Sequence, residues 1–228
     1  MELLVEARQL CATGYGAMLF TSVNAVVHKG DVAVISGPPG TGRTALLLAL
    51  SGRFPTVGGV LLTADGVPAV RSALRRRIAV AQALPVIRPE PTLRVSEAIA
   101  ERRITAGRKN VTAQAVHETL AAMGLEPPPP HAVIQDMGTV EQTLFALALA
   151  RTPGTEGICY DDVEAGLPAS DRTFLREAVK SLAALGPALL VTSCDPAWGT
   201  VDITLQPAEN NPPVKAAPET TGTSGEEV

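Results

Sequence analysis

Two short stretches hold the residue types that could do chemistry. The first, Gly37-Pro38-Pro39-Gly40-Thr41-Gly42-Arg43-Thr44, is one residue away from G-x-x-x-x-G-K-[ST], whose backbone N–H groups wrap a phosphate. Arg43 stands where that pattern asks for lysine. Glycines permit the tight turn, and a helix that follows directs its positive end at the same anion. Thr44 would offer a hydroxyl to Mg2+. The second stretch, Ile158-Cys159-Tyr160-Asp161-Asp162, ends an apolar run in two carboxylates. Such a pair is costly to bury unless a cation or N–H groups compensate, and a hard cation such as Mg2+ takes carboxylate oxygen.

The hydrophobic pattern must supply the elements that position these residues. Val32-Ala33-Val34-Ile35 reads as a buried strand feeding the glycine-rich turn, and Ala45 to Leu50 as the helix leaving it. Upstream, Leu3 to Leu10 and Met18 to Val27 read as strands around the turn-rich Thr13-Gly14-Tyr15-Gly16. Gly58 to Leu62 predicts a strand running into the turn Ala64-Asp65-Gly66, and Ile78 to Ala81 another that ends at Gln82. Val95 to Met123 has helical spacing closed by Gly124, and Pro127 to Pro130 form an extended tether. Thr139 with Gln142 fits a capping box for a helix to about Ala150. Gly157 to Asp161 is a strand, Ser170 caps a helix through Leu185, and Ala188 to Thr192 and Val201 to Leu205 are further strands. Strand-helix alternation around a helical middle predicts an α/β fold with a largely parallel core sheet.

Composition narrows the function. A net charge of −4 and only 3% aromatic residues argue against a nucleic-acid binder. Cys11, Cys159 and Cys194 are odd in number and far apart, which suits neither a disulfide framework nor a metal site and suggests a reducing cytosol. The Met1 to Glu6 start lacks a basic n-region, and the longest apolar run, Leu144 to Ala150, is too short to span a bilayer. Work at a membrane would therefore need docking to another subunit. Residues 206–228 carry prolines with Thr, Ser, Gly and Glu and few apolar side chains, which predicts a disordered tail.

Taken in order, these features resemble the nucleotide-binding cassette of the ABC ATPases over 1–205. The resemblance implies a P-loop fold with an N-terminal antiparallel β subdomain and a helical insert at about 88–150. It implies ATP and Mg2+ as ligands, a membrane-spanning permease and a second ABC-type subunit as partners, and a cytoplasmic place, peripheral at the membrane's inner face. Gly37, Pro38, Pro39, Gly40, Thr41, Gly42, Arg43 and Thr44 would cradle the phosphates, and Thr44, Gln82 and Asp161 would serve the metal. Asp162 stands at the catalytic glutamate's place and Gln82 at that of the Q-loop glutamine, although as a strand-end residue Gln82 could also be a solvated side chain. Tyr15 is either the adenine-stacking aromatic or a turn tyrosine.

Several positions depart from the family. Met137-Gly138-Thr139-Val140-Glu141 lies over LSGGQ, and Glu141 suits a capped helix better than a phosphate clamp. Pro168 replaces the D-loop aspartate, and Cys194 replaces the switch histidine, reading as a small buried hydrophobe. Arg71, Arg75, Arg76, Arg77, Arg102, Arg103, Arg108 and Lys109 form either a solvated basic face or a docking surface beside anionic headgroups. The resulting expectation is a cytosolic ATP-binding subunit with weak or partner-dependent hydrolysis, or a pseudo-ATPase whose nucleotide gates docking.

Overall fold

The computed structural model describes residues 1–14, 16–106 and 111–207. Tyr15, Arg108, Lys109 and the stretch 208–228 lie outside the described residues. Among the described residues, eight strands and six α-helices follow in chain order: β1 (Leu3–Gly14), β2 (Ala17–His28), β3 (Val32–Ser36), α1 (Arg43–Leu50), β4 (Gly58–Leu62), α2 (Arg71–Arg77), β5 (Ile78–Gln82), α3 (Val95–Thr105), α4 (Ala113–Ala122), α5 (Thr139–Ala150), β6 (Gly157–Tyr160), α6 (Ala169–Ala184), β7 (Ala188–Thr192) and β8 (Val201–Thr204). They build an antiparallel sheet β2-β1-β4 and a parallel sheet β5-β6-β7-β3-β8.

Side-chain alternation along the parallel strands divides the interior in two. Val32 and Val34 of β3, Ile158 and Tyr160 of β6, and Leu189 and Val191 of β7 face the core built with α5 and α6. Ala33 and Ile35, Cys159, and Ala188 and Leu190 face the other way, onto α1 and the antiparallel sheet. Strand periodicity of two thus lets short, wholly apolar strands serve two cores. Helix α5 is buried at every position from Thr143 to Ala150 and so carries no polar stripe.

Element boundaries differ from the sequence expectation in four places. The Val95 to Met123 pattern forms two helices, α3 and α4, because Thr112 caps the second by accepting from the Ala115 N–H at 3.1 Å. Helix α5 starts one residue earlier than expected: Gly138 and not Thr139 is its N-cap, Glu141 and not Gln142 reaches back to the Gly138 N–H (2.9 Å), and Gln142 instead donates to Met137 O (2.8 Å). Helix α6 begins at Ala169 behind Pro168, so Ser170 lies inside the first turn, bonded to Asp171. Helix α2 was not anticipated. Its basic run hid it; Leu74 anchors it in the core, and the Arg71 carbonyl packs so close that a Cβ on Gly52 would meet it at 2.5 Å. Several of the basic side chains serve inside the fold: Arg71 donates to Gly52 O, Arg77 pairs with Glu156, and Arg102 donates to Leu149 O.

Candidate nucleotide site at the strand ends

The carboxyl ends of β3, β6 and β7 meet at one edge of the parallel sheet, where α/β folds place ligands. The loop after β3 is held in a shape that only glycine allows. Gly37, Gly40 and Gly42 have φ of 142°, 83° and 86°. A Cβ on Gly37 would meet Leu205 O at 2.5 Å and one on Gly42 would meet Leu19 O at 2.6 Å, so backbone fills both flanks, whereas Gly40 faces open space. Thr41 is buried and donates its hydroxyl to Pro38 O at 2.8 Å, tying the turn shut. Pro38 and Pro39 bring no N–H, which leaves Gly40 to Thr44 to supply the donors at the start of α1.

Next to this loop, Thr44 Oγ1 donates to Asp161 Oδ2 (2.8 Å) and Thr192 Oγ1 donates to Asp161 Oδ1 (2.6 Å). The two side chains thus bring together a hydroxyl and a buried carboxylate, hard oxygen donors that suit Mg2+, an ion that keeps most of its shell as water. Among the described residues no group of three or more His, Cys, Asp or Glu could hold a metal, in keeping with so sparse a donor set. Gln82 and Tyr160 line a cavity of about 230 Å³ with Asp162 and the start of α5.

Asp162 is held with φ 50°, a left-handed conformation that aspartate tolerates, and its N–H donates to Thr192 Oγ1 (2.7 Å). Its carboxylate is engaged by Arg43, whose guanidinium reaches Asp162 Oδ1 at 3.4 Å and Cys194 Sγ at 3.0 Å. The arginine side chain is only 12% exposed and the aspartate 56%, so the pair is half solvated and adds about 0–1 kcal/mol. Cys194 is therefore not a buried small hydrophobe. It is exposed and accepts from Arg43, because the loop after β7 turns its thiol outward beside that guanidinium. Cys159 is the buried one, its thiol pushed up to about 12 by desolvation.

Two residues that the sequence did not single out complete the site. Thr192 bridges Asp161 and the Asp162 N–H, and nothing in a strand-end threonine advertises that task. Glu164 accepts from Ser193 Oγ (2.7 Å), Cys194 N–H (3.1 Å) and Trp198 Nε1–H (3.0 Å). Burial alone would push its carboxyl up, but the bonds from Ser193, Trp198 and Cys194, with the Arg172 charge, outweigh that and hold it below the usual carboxylate range.

A parallel sheet with a glycine-rich turn into a helix, and a strand ending in an aspartate beside that helix's threonine, defines the P-loop nucleotide-binding class. Residues 20–162 match the family model described as ABC transporter, and the chain belongs to that family. Over 62 residues it is 42% identical to the cytochrome c biogenesis ATP-binding export protein CcmA of Pseudomonas syringae pv. syringae, covering 27% of this chain and 29% of that protein. It thus spans under a third of that relative's length. Over 188 residues it is 27% identical to the ribose import ATP-binding protein RbsA 1 of Rubrobacter xylanophilus, covering 80% of this chain and 37% of that protein. Its fold is similar to MJ1267, an ATP-binding cassette of an ABC transporter in its ADP conformation, with TM-score 0.74, 15% identity, and 90% and 88% of the two chains covered. It is also similar to CbiO1 of Clostridium perfringens, part of the transporter complex CbiONQ, with TM-score 0.75, 15% identity, and 90% and 86% coverage.

Proposed function

We propose that this chain is an ATP-binding subunit of an ABC-type transport system that binds nucleotide with Mg2+ and hydrolyses it poorly or only with a partner. Residues 1–205 form the nucleotide-binding domain, with the insert at about 88–150. Backbone N–H groups from Gly40 to Thr44 cradle the phosphates, and Thr44 and Asp161 hold Mg2+, which when bound would neutralise phosphate charge. Gln82, across the cavity that it lines with Asp162, is proposed to contact Mg2+ and the attacking water, and Asp162 to orient that water. Tyr15 is proposed as the adenine platform.

The observation that carries the reading is the contact of Arg43 with Asp162 and Cys194 beside a loop shaped by three positive-φ glycines. The loop retains its shape for gripping an anion, while the carboxylate meant to orient water is engaged by a guanidinium. Calorimetry with ATP, followed by phosphate release from the chain alone and with a candidate permease or an intact cassette, tests it. Micromolar binding with little turnover by the chain alone is expected. Turnover at ordinary ATPase rates, on the order of 10 per second, would refute the impaired-hydrolysis part, and no binding would refute the whole.

One observation favours a second reading, the pseudo-ATPase. Glu141 places its own carboxylate on the Gly138 N–H, so the α5 end that would face an opposing phosphate already holds an anion. Equal stabilisation by ATP, ADP and a non-hydrolysable analogue, with no turnover in any assembly, would select it. No described helix is long and apolar enough to cross a membrane, and a membrane-spanning permease is proposed as the partner.

A further inference from the structure

The Glu164 side chain binds the loop after β7 to the turn after β6. Glu164 lies in the turn after β6, is 13% exposed, and uses both carboxylate oxygens on residues of the other loop. Oε1 takes the Ser193 hydroxyl and the Cys194 N–H, while Oε2 takes the Trp198 indole N–H. The arrangement continues outward. Ser193 Oγ accepts from the Asp195 N–H (2.9 Å), Asp195 pairs with Arg176 (3.0 Å), and that guanidinium lies 5.2 Å over the Trp198 ring. Continuing inward, Cys194 meets Arg43, and Arg43 meets Asp162 two residues from Glu164. The segment 193–198 is therefore clamped at its start, where Cys194 sits against the site, and at its end, where Trp198 is fully buried.

We propose that Glu164 is a positioning residue: its carboxylate locks the Ser193–Trp198 loop onto the turn after β6 and so holds Cys194 against Arg43. A carboxylate is required because three donors from one loop converge on it. An amide of the same size offers a single acceptor oxygen and turns an NH2 group toward one of those donors. Bonds to a charged acceptor are also the stronger kind. A glutamate kept only for shape would tolerate the amide. Only the effect on nucleotide rests on the function proposed above, since the locking itself is read without nucleotide.

Trp198 is the chain's one tryptophan and reports this contact directly. The full chain and its Glu164→Gln variant are compared by acrylamide quenching of Trp198 fluorescence and by amide hydrogen exchange. Glu164→Gln is expected to raise quenching severalfold and speed exchange in 193–198 about tenfold, the scale of one lost charge-assisted bond, while β3 and β7 keep wild-type protection. Combined with Ser193→Ala, it is expected to show less than additive loss, because both remove the same contact. Wild-type quenching and exchange in Glu164→Gln would overturn the proposal. So would uniform loss of protection across the chain, which would make Glu164 a general stability residue. ATP calorimetry and phosphate release on the same pair then give the functional consequence: affinity within about threefold and a raised release by Glu164→Gln are expected, and equal release by the two chains would remove the link to Arg43. Failure of the wild-type chain to bind ATP would count against the proposed function and leave the quenching result to decide the role of Glu164.

Discussion

The turn between β3 and α1 and the start of α5 differ in what satisfies and holds them. On the core side, the turn between β3 and α1 keeps three positive-φ glycines, two of them walled in by backbone, and its threonine meets a buried aspartate. On the other side, the start of α5 carries Glu141, and that carboxylate satisfies the helix end from within. The contrast has a physical basis. A loop whose shape is enforced by close backbone contacts cannot change residue without clashing, whereas an exposed helix end can exchange an external anion for an internal one at little cost.

The largest effect is expected from breaking the core side. Gly42→Val must place a branched side chain at φ 86° and against Leu19 O, which should destabilise the chain by about 2 kcal/mol or more and lower nucleotide affinity on the order of a hundredfold. Thermal melts with and without ATP check both. Next in size, Arg43→Lys removes the planar fork that spans Asp162 and Cys194. Binding should stay within about threefold, and phosphate release should rise if the guanidinium restrains Asp162. Unchanged release would show that the α5 side alone limits turnover.

Glu141→Ala should cost about 0.5–1 kcal/mol through loss of the α5 cap, with ATP affinity of the isolated chain unchanged. A large drop in that affinity would erase the distinction between the two sides. The smallest effect lies far from both. Hydrogen bonds from Arg77, against partial burial and helped by Lys29, hold the Glu156 carboxyl below its ordinary value. A depressed carboxylate contributes its stability in full above the unfolded value of about 4.3 and loses it as pH falls through the lower folded value. Melting curves of wild type and Glu156→Gln should therefore converge in that acid window.

Much of this was legible in the chain. The glycine-rich turn, the buried strands on either side and the aspartate pair are local patterns, and the structure brings Thr44 and Asp161 together as their types imply. Where a polar residue can bond to several near neighbours, local pattern failed. Gln142 and Glu141 both fit the cap of α5, and backbone geometry selected Glu141. Cys194 looked like a small core residue because a thiol carries no signal of its direction.

By itself, the sequence determined the strands, the phosphate turn and the parallel α/β order, because hydrophobic period and glycine placement act between residues close in the chain. Only the tertiary structure decided that Arg43 meets Asp162 and Cys194, that Thr192 bridges the two aspartates, and that Glu164 clamps a loop some thirty residues away. Those contacts join separate strand ends, and their geometry exists only after β3, β6 and β7 have paired in register.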